Sequence, residues 1–180
     1  VNGVDATDPA QYTYGEMVSC EQNAEIVRYL KTYIPGFENA WVDRVAPFMG
    51  IRETRRIVGE YVLTENDIFE CARFDDSIGV ASYPVDLHHP VGVDCSLYWC
   101  PDCNDIPYRC LVPQMIDGLL VAGRCISASH LALASVRVMA PAMCIGEAAG
   151  KAAALCSQSN LQPRQVDIKK LQEALRAEGV

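Results

Sequence analysis

The sequence predicts an α+β fold, and three observations carry that prediction. Leu119 to Ala122 form an uninterrupted apolar run that ends at Gly123 and leads, through a polar bend, into a helix rich in small residues, the order expected of a buried strand followed by a packing helix. Five prolines between Cys71 and Gly118 cut the middle of the chain into short extended pieces, which suits a β-rich segment. Helical periodicity marks both ends. On this reading residues 1–50 are a helical lead-in, 51–116 a β-rich, cap-like segment with a cysteine-rich loop, 117–158 a terminal strand and helix, and 159–180 a tail helix.

The elements follow in order. Thr13 and Glu16 have capping-box spacing, and Met17, Cys20, Ala24, Val27, Leu30 and Ile34 recur at steps of three and four until Pro35-Gly36 stops them. A packing helix of about five turns is expected. Residues 41–49 read as a strand or loop lead-in. Ile57, Gly59, Tyr61 and Leu63 then alternate with Arg56, Val58, Glu60 and Val62 as a strand, and Thr64 caps a short helix beginning near Glu65. Hairpin-like strands are expected near Gly79 to Tyr83 and Tyr108 to Val112. Asp167 to Ala177 reads as a capped helix with Ile168, Leu171 and Leu175 turned inward.

In the 117–158 segment, Pro141 suits a first helical position, where its missing N–H costs nothing. Ala142, Gly146, Gly150 and Ala154 then recur every four residues, a stripe narrow enough for another backbone to approach. Near Ala140 the unpaired N–H groups and the positive end of the helix dipole favour an anion.

Charge and composition exclude several classes. Fifteen basic against 23 acidic residues give a net charge of −8, with no basic stripe interleaved with aromatics, so nucleic acid is not an expected partner. Hydrophobic residues at 50% and charged residues at 21% argue against disorder. No apolar stretch reaches the roughly 18 residues a membrane span needs, and no secretory signal is visible, so a cytoplasmic protein is expected. Whether it associates with itself is left open.

Nine cysteines cannot pair completely within one chain. Cys95, Cys100, Cys103 and Cys110 are spaced C-x4-C-x2-C-x6-C, near a plant-type iron–sulfur loop, while Cys100 and Cys103 alone form a zinc-type knuckle. A bound metal, a disulfide such as Cys100–Cys103 or Cys95–Cys103, and reduced thiols all remain open, reduced thiols being the reading taken. Cys110 and Cys125 are read as buried structural thiols. Adjacent His88 and His89 point to opposite sides of an extended segment and read as a surface pair. Arg55 shares parity with Ile57 and Tyr61, so alternation turns it toward the apolar side. There it needs an anion, either Glu53 beside it or the carboxylate or phosphate of a ligand.

The phrases DATDP, YIPGFENAW, GIRETRRIVGEYVLTENDI, RFDDSIGVASYPVDLH, PYRCLVP, GLLVAGRCISA, RVMAPAM and GEAAG together resemble a bacterial family of FAD-dependent oxidoreductases with a glutathione-reductase-like, Rossmann-like fold. The resemblance runs from about Asp5 to about Leu155. It implies FAD as cofactor, hydride transfer with a small organic substrate, and a reduced flavin whose negative charge the helix start near Ala140 would stabilise. It implies flavin contacts at Gly123, Arg124, Arg137, Val138, Met139 and Ala140, with Arg124 standing where related flavoproteins carry an acidic residue for cofactor hydroxyls. His130 is the candidate proton carrier, and the RETRR phrase, with Arg55 or Arg52, the candidate substrate clamp. No two of the 12 glycines are separated by a single residue, so the G-x-G-x-x-G pyrophosphate loop is missing. The resemblance then implies the carboxyl-terminal portion of a two-domain flavoprotein, partnered by an amino-terminal FAD-binding half and holding FAD poorly alone. The alternative from a different class is a cysteine-rich metal-binding or assembly module built on Cys95 to Cys110.

Overall fold

A computed structural model describes residues 1–88 and 95–179. The chain divides into two compact units, one formed by residues 1–54 and one by the described residues from Arg55 onward. Helices and small antiparallel sheets are mixed along the chain, an α+β fold.

The first unit is built on α1, Pro9–Tyr33. Asp8 caps it by accepting from the Ala10 N–H at 2.9 Å, with Pro9 in the first turn. The start therefore precedes the Thr13 expected from the sequence. Thr13 lies inside the helix and donates to the Pro9 carbonyl, while Glu16 accepts from the Met49 N–H instead of closing a capping box. Met17, Cys20 and Ala24 of the expected inward stripe are exposed; Val27, Leu30 and Ile34 are half-buried. So small a unit has too little apolar mass to cover a helix of 25 residues.

In the second unit the 57–63 segment keeps the expected alternation, with Gly59 and Leu63 buried and Val58 and Val62 exposed. It is not a sheet strand. Its bridges are single, Gly59 with Pro113 and Leu63 with Ala128, and its N–H groups reach irregular neighbours: Ile57 to the Cys125 carbonyl, Tyr61 to Arg109 and Leu63 to Ser127. The segments it meets contain turns and a proline, which cannot continue a ladder. Thr64 then caps α2, Glu65–Phe69, as expected, and Asp67 closes a capping box with it.

Two short hairpin-like pairs follow. Strand β1, Ser77–Ala81, pairs antiparallel with β4, Asn104–Pro107, through an irregularity between Ser77 and Val80. Strand β2, Val85–His88, pairs with β3, Cys95–Tyr98. Tyr108–Leu111, expected as a strand, is a turn of 3-10 helix. Tyr108, Cys110 and Leu111 are all buried, which a two-residue alternation cannot achieve and a three-residue turn can.

The run 119–122 is extended but is also not a sheet strand. Its Val121 N–H bonds the Leu111 carbonyl at 2.9 Å, and Leu119 stays exposed. That bond does not extend into a ladder, and no strand is formed here among the described residues. The bend after it holds a helix the sequence reading missed. Helix α3, His130–Val136, is capped by Ser129, and α4, Met139–Ser159, follows at an angle of 93°. Pro141, Ile145, Ala148, Ala152 and Cys156 form the buried face of α4. The small-residue stripe faces the other way: Gly146 and Gly150 have open space around them. Helix α5, Ile168–Ala177, caps on Asp167 as expected and buries Leu171 and Leu175 against a core that includes Leu63, Ile68, Ile106, Leu133 and Ile145. Each such side chain contributes roughly 1.5–3 kcal/mol by leaving water. Among the described residues no single helix is long and apolar enough to cross a membrane.

Candidate functional site

The start of α4 is open. Val138 occupies the cap position and offers no side-chain hydrogen bond, Met139 is 83% exposed, and Ala140 is exposed. Pro141 is the third helical residue, not the first, so Met139 and Ala140 supply the first-turn N–H donors, and the proline itself is buried. Two amides at the positive end of a 21-residue helix, without a side-chain cap, form a donor set for negative charge.

Arg137 lies at the corner between α3 and α4. Its Nη2 donates to the Asp86 carbonyl at 2.7 Å, and Ser135 Oγ donates to the Tyr83 carbonyl at 2.6 Å, so the corner is tied to β2 and the residues before it. Asp86 in turn contacts His88 Nε2 at 3.1 Å. His89, the second member of the expected histidine pair, lies outside the described residues.

His130 is exposed at the first position of α3. The seven residues of α3 set roughly 10 Å of helix between it and the start of α4. The two therefore do not converge as neighbours on one side of the bend. Gly123, at φ +75°, opens a 3-10 turn over Gly123–Cys125, and Arg124 on that turn is exposed. Here the RETRR phrase arrives: the Ile57 N–H bonds the Cys125 carbonyl, and Arg56 Nη1 donates to the Ala128 carbonyl at 3.0 Å. Arg56, not Arg55, is the arginine that turns inward. Arg55 is exposed, because the alternation starts only after the phrase has left its charged stretch. Cys125 is likewise exposed, whereas Cys110 is fully buried.

Sequence reasoning passed over the residues that brace this region. Ser129 Oγ accepts from the Ala132 N–H and donates to Glu65 Oε2 at 2.7 Å, which holds the Glu65 carboxyl below its usual range. The signal was a serine directly ahead of an apolar helical run. Tyr61 OH donates to Asp67 at 2.9 Å, and Arg109, fixed on Asp76, lies 5.0 Å from the Tyr61 ring centre. Burial foremost, then Asp67, push the Tyr61 phenol up to about 12. All nine cysteines are free thiols. Among the described residues no three His, Cys, Asp or Glu side chains are grouped to hold a metal, and the cysteine-rich loop does not bring Cys95, Cys100, Cys103 and Cys110 into one cluster.

Residues 1–175 match the family model described as FAD dependent oxidoreductase. No curated protein and no solved structure matches the chain.

Proposed function

Because the chain belongs to the FAD dependent oxidoreductase family, we propose that it takes part in hydride transfer between a small organic substrate and FAD, with the start of α4 against the flavin ring. The observation that carries the reading is that open start: two first-turn amides on exposed residues, no side-chain cap, and a positive helix end. The donor chemistry fits the electron-rich edge of a flavin. It does not fit the whole cofactor, since the chain has no G-x-G-x-x-G loop for the pyrophosphate. We infer that the adenine and pyrophosphate half is gripped by residues outside these 180, in a glutathione-reductase-like arrangement.

In this reading FAD, when bound, supplies the hydride acceptor. The Met139 and Ala140 N–H groups stabilise negative charge at the helix start, and Val138 keeps that end free of a competing side chain. Arg137, anchored on the Asp86 carbonyl, fixes the angle at which α4 begins. Gly123 and Arg124 contribute backbone to the cofactor's polyol side. His130 carries a proton and Arg55 binds an acidic group of the substrate, both from exposed positions.

FAD titration of the full-length protein, followed by flavin absorbance and fluorescence, tests the reading. One flavin per chain, bleached under anaerobic conditions by an oxidisable organic substrate, is expected. A protein that takes up no FAD would overturn it.

A further inference from the structure

The connection between β3 and β4 carries chemistry that flavin binding does not use. Cys100 and Cys103 flank bends at Pro101 and Asp102, and this is the single C-x2-C spacing in the chain. Residues 71–74 face them. The Asp105 N–H bonds the Ala72 carbonyl at 3.0 Å, and the Phe74 N–H bonds Asp105 Oδ2 at 3.0 Å, so the two segments are braced together. Arg73 reaches across this brace. Its Nη1 donates to Asp105 Oδ1 at 2.9 Å and its Nη2 to Cys103 Sγ at 3.2 Å. Arg73 is 54% exposed and Cys103 partly exposed, so a reagent in solution can reach the sulfur.

A thiol reacts as its anion, and a guanidinium donating to sulfur both stabilises that anion and fixes its direction. Exposure alone does not select Cys103, since Cys20 and Cys95 are more exposed. The guanidinium contact does. A second thiol, Cys100, stands at the other side of the bend, where burial and then the nearby Cys71 push it up.

We propose that Cys103 is a thiol–disulfide exchange site for low-molecular-weight disulfides, with Cys100 as the resolving thiol and Arg73 as the positioning residue. In the first step Cys103, having released its proton to solvent, attacks one sulfur of the reagent. The reagent's S–S bond breaks, a mixed disulfide forms on Cys103, and one small thiol leaves and takes up a proton. In the second step Cys100 loses its proton and attacks the Cys103 sulfur; the mixed disulfide breaks, Cys100–Cys103 forms, and the second small thiol departs protonated. Two protein thiols are oxidised, one reagent disulfide is reduced to two thiols, and no other oxidant is required.

The test treats the full chain with hydroxyethyl disulfide and follows each cysteine by quenched peptide mass spectrometry. Cys103 is expected to react ~10-fold faster than Cys20 and Cys95 and then to convert to Cys100–Cys103, while Cys100→Ser stops at the mixed disulfide. Arg73→Gln is expected to slow Cys103 roughly tenfold, with Arg73→Lys recovering part of the loss. Buried Cys110 staying unreactive in each variant reports an intact fold. Equal rates at Cys103, Cys20 and Cys95 would overturn the proposal. So would an unchanged Cys103 rate in Arg73→Gln with Cys110 still protected, or a disulfide that forms between Cys71 and Cys100.

Discussion

Helix α4 is seated on β1 through a contact with room for nothing more. A Cβ added at Gly79 would lie 2.2 Å from Cys144 Sγ and 3.6 Å from Cys144 Cβ. Gly79→Ala therefore forces the Cys144 sulfur to move by more than 1 Å, by a change of rotamer or a shift of α4, to regain ordinary contact at roughly 3.4 Å or beyond. Overpacking of this kind costs about 1–3 kcal/mol. Against it stands about 0.4–1 kcal/mol from the lower entropy of the unfolded chain when glycine becomes alanine. A net loss near 1–2 kcal/mol follows. In a Cys144→Ala background the sulfur is gone and the remaining neighbour at 3.6 Å is in ordinary contact, so the same substitution should become neutral or slightly stabilising. Urea unfolding of the four proteins, followed by far-UV circular dichroism, gives the coupling, expected at about 1–3 kcal/mol. An equal cost with and without Cys144 would refute this account of how α4 is held.

Other expectations follow from single contacts. Cys110 is fully buried, and burial pushes its thiol up to about 12. Because the folded chain holds that proton more tightly than the unfolded chain, stability should be intact below about pH 9 and fall by about 1.4 kcal/mol per pH unit from there toward 12. Cys110→Ala should flatten that slope in denaturation measured across the same range, Tyr61 and Tyr108 leaving a remainder of the same sign. Ser129→Ala removes the cap of α3 and the Glu65 hydrogen bond, so stability should drop by about 1–2 kcal/mol and the Glu65 titration, read by NMR, should rise toward the ordinary carboxylate range. Ala140→Asp sets a negative charge at the start of α4; in the flavin-loaded protein it should weaken binding of reduced relative to oxidised cofactor by about 0.3–1 kcal/mol, roughly two- to fivefold, in a redox titration.

Local chemistry was legible in the sequence where a side chain decides the structure by itself. Thr64 and Asp167 start α2 and α5 where their capping side chains predict, and Leu171 and Leu175 face the core as spaced. What depends on neighbours was not legible. The 57–63 alternation is real, yet whether it becomes a strand is decided by partners 48 or more residues away, and those are turns. The apolar run 119–122 gives no sign that its edges lack a sheet. For α4, a glycine and alanine stripe looks like a packing face, but the larger Ile145 and Cys156 contribute more by burial and turn the helix over. At the site, the open helix start was foreseen and its geometry was off by two residues. Arg56 turns inward in place of Arg55 because parity cannot be counted reliably through a charged entry to an extended segment. Arg73 and Cys103 are separated by 30 positions, a pairing no spacing rule reveals.

The central claim is that the amides opening α4 face the flavin. Hydrogen–deuterium exchange of the full-length protein, with and without FAD, reads those amides directly. Slowed exchange at Met139 and Ala140 on FAD addition is predicted, with the α5 amides unchanged. FAD that binds and leaves Met139 and Ala140 exchanging at their original rates would contradict it.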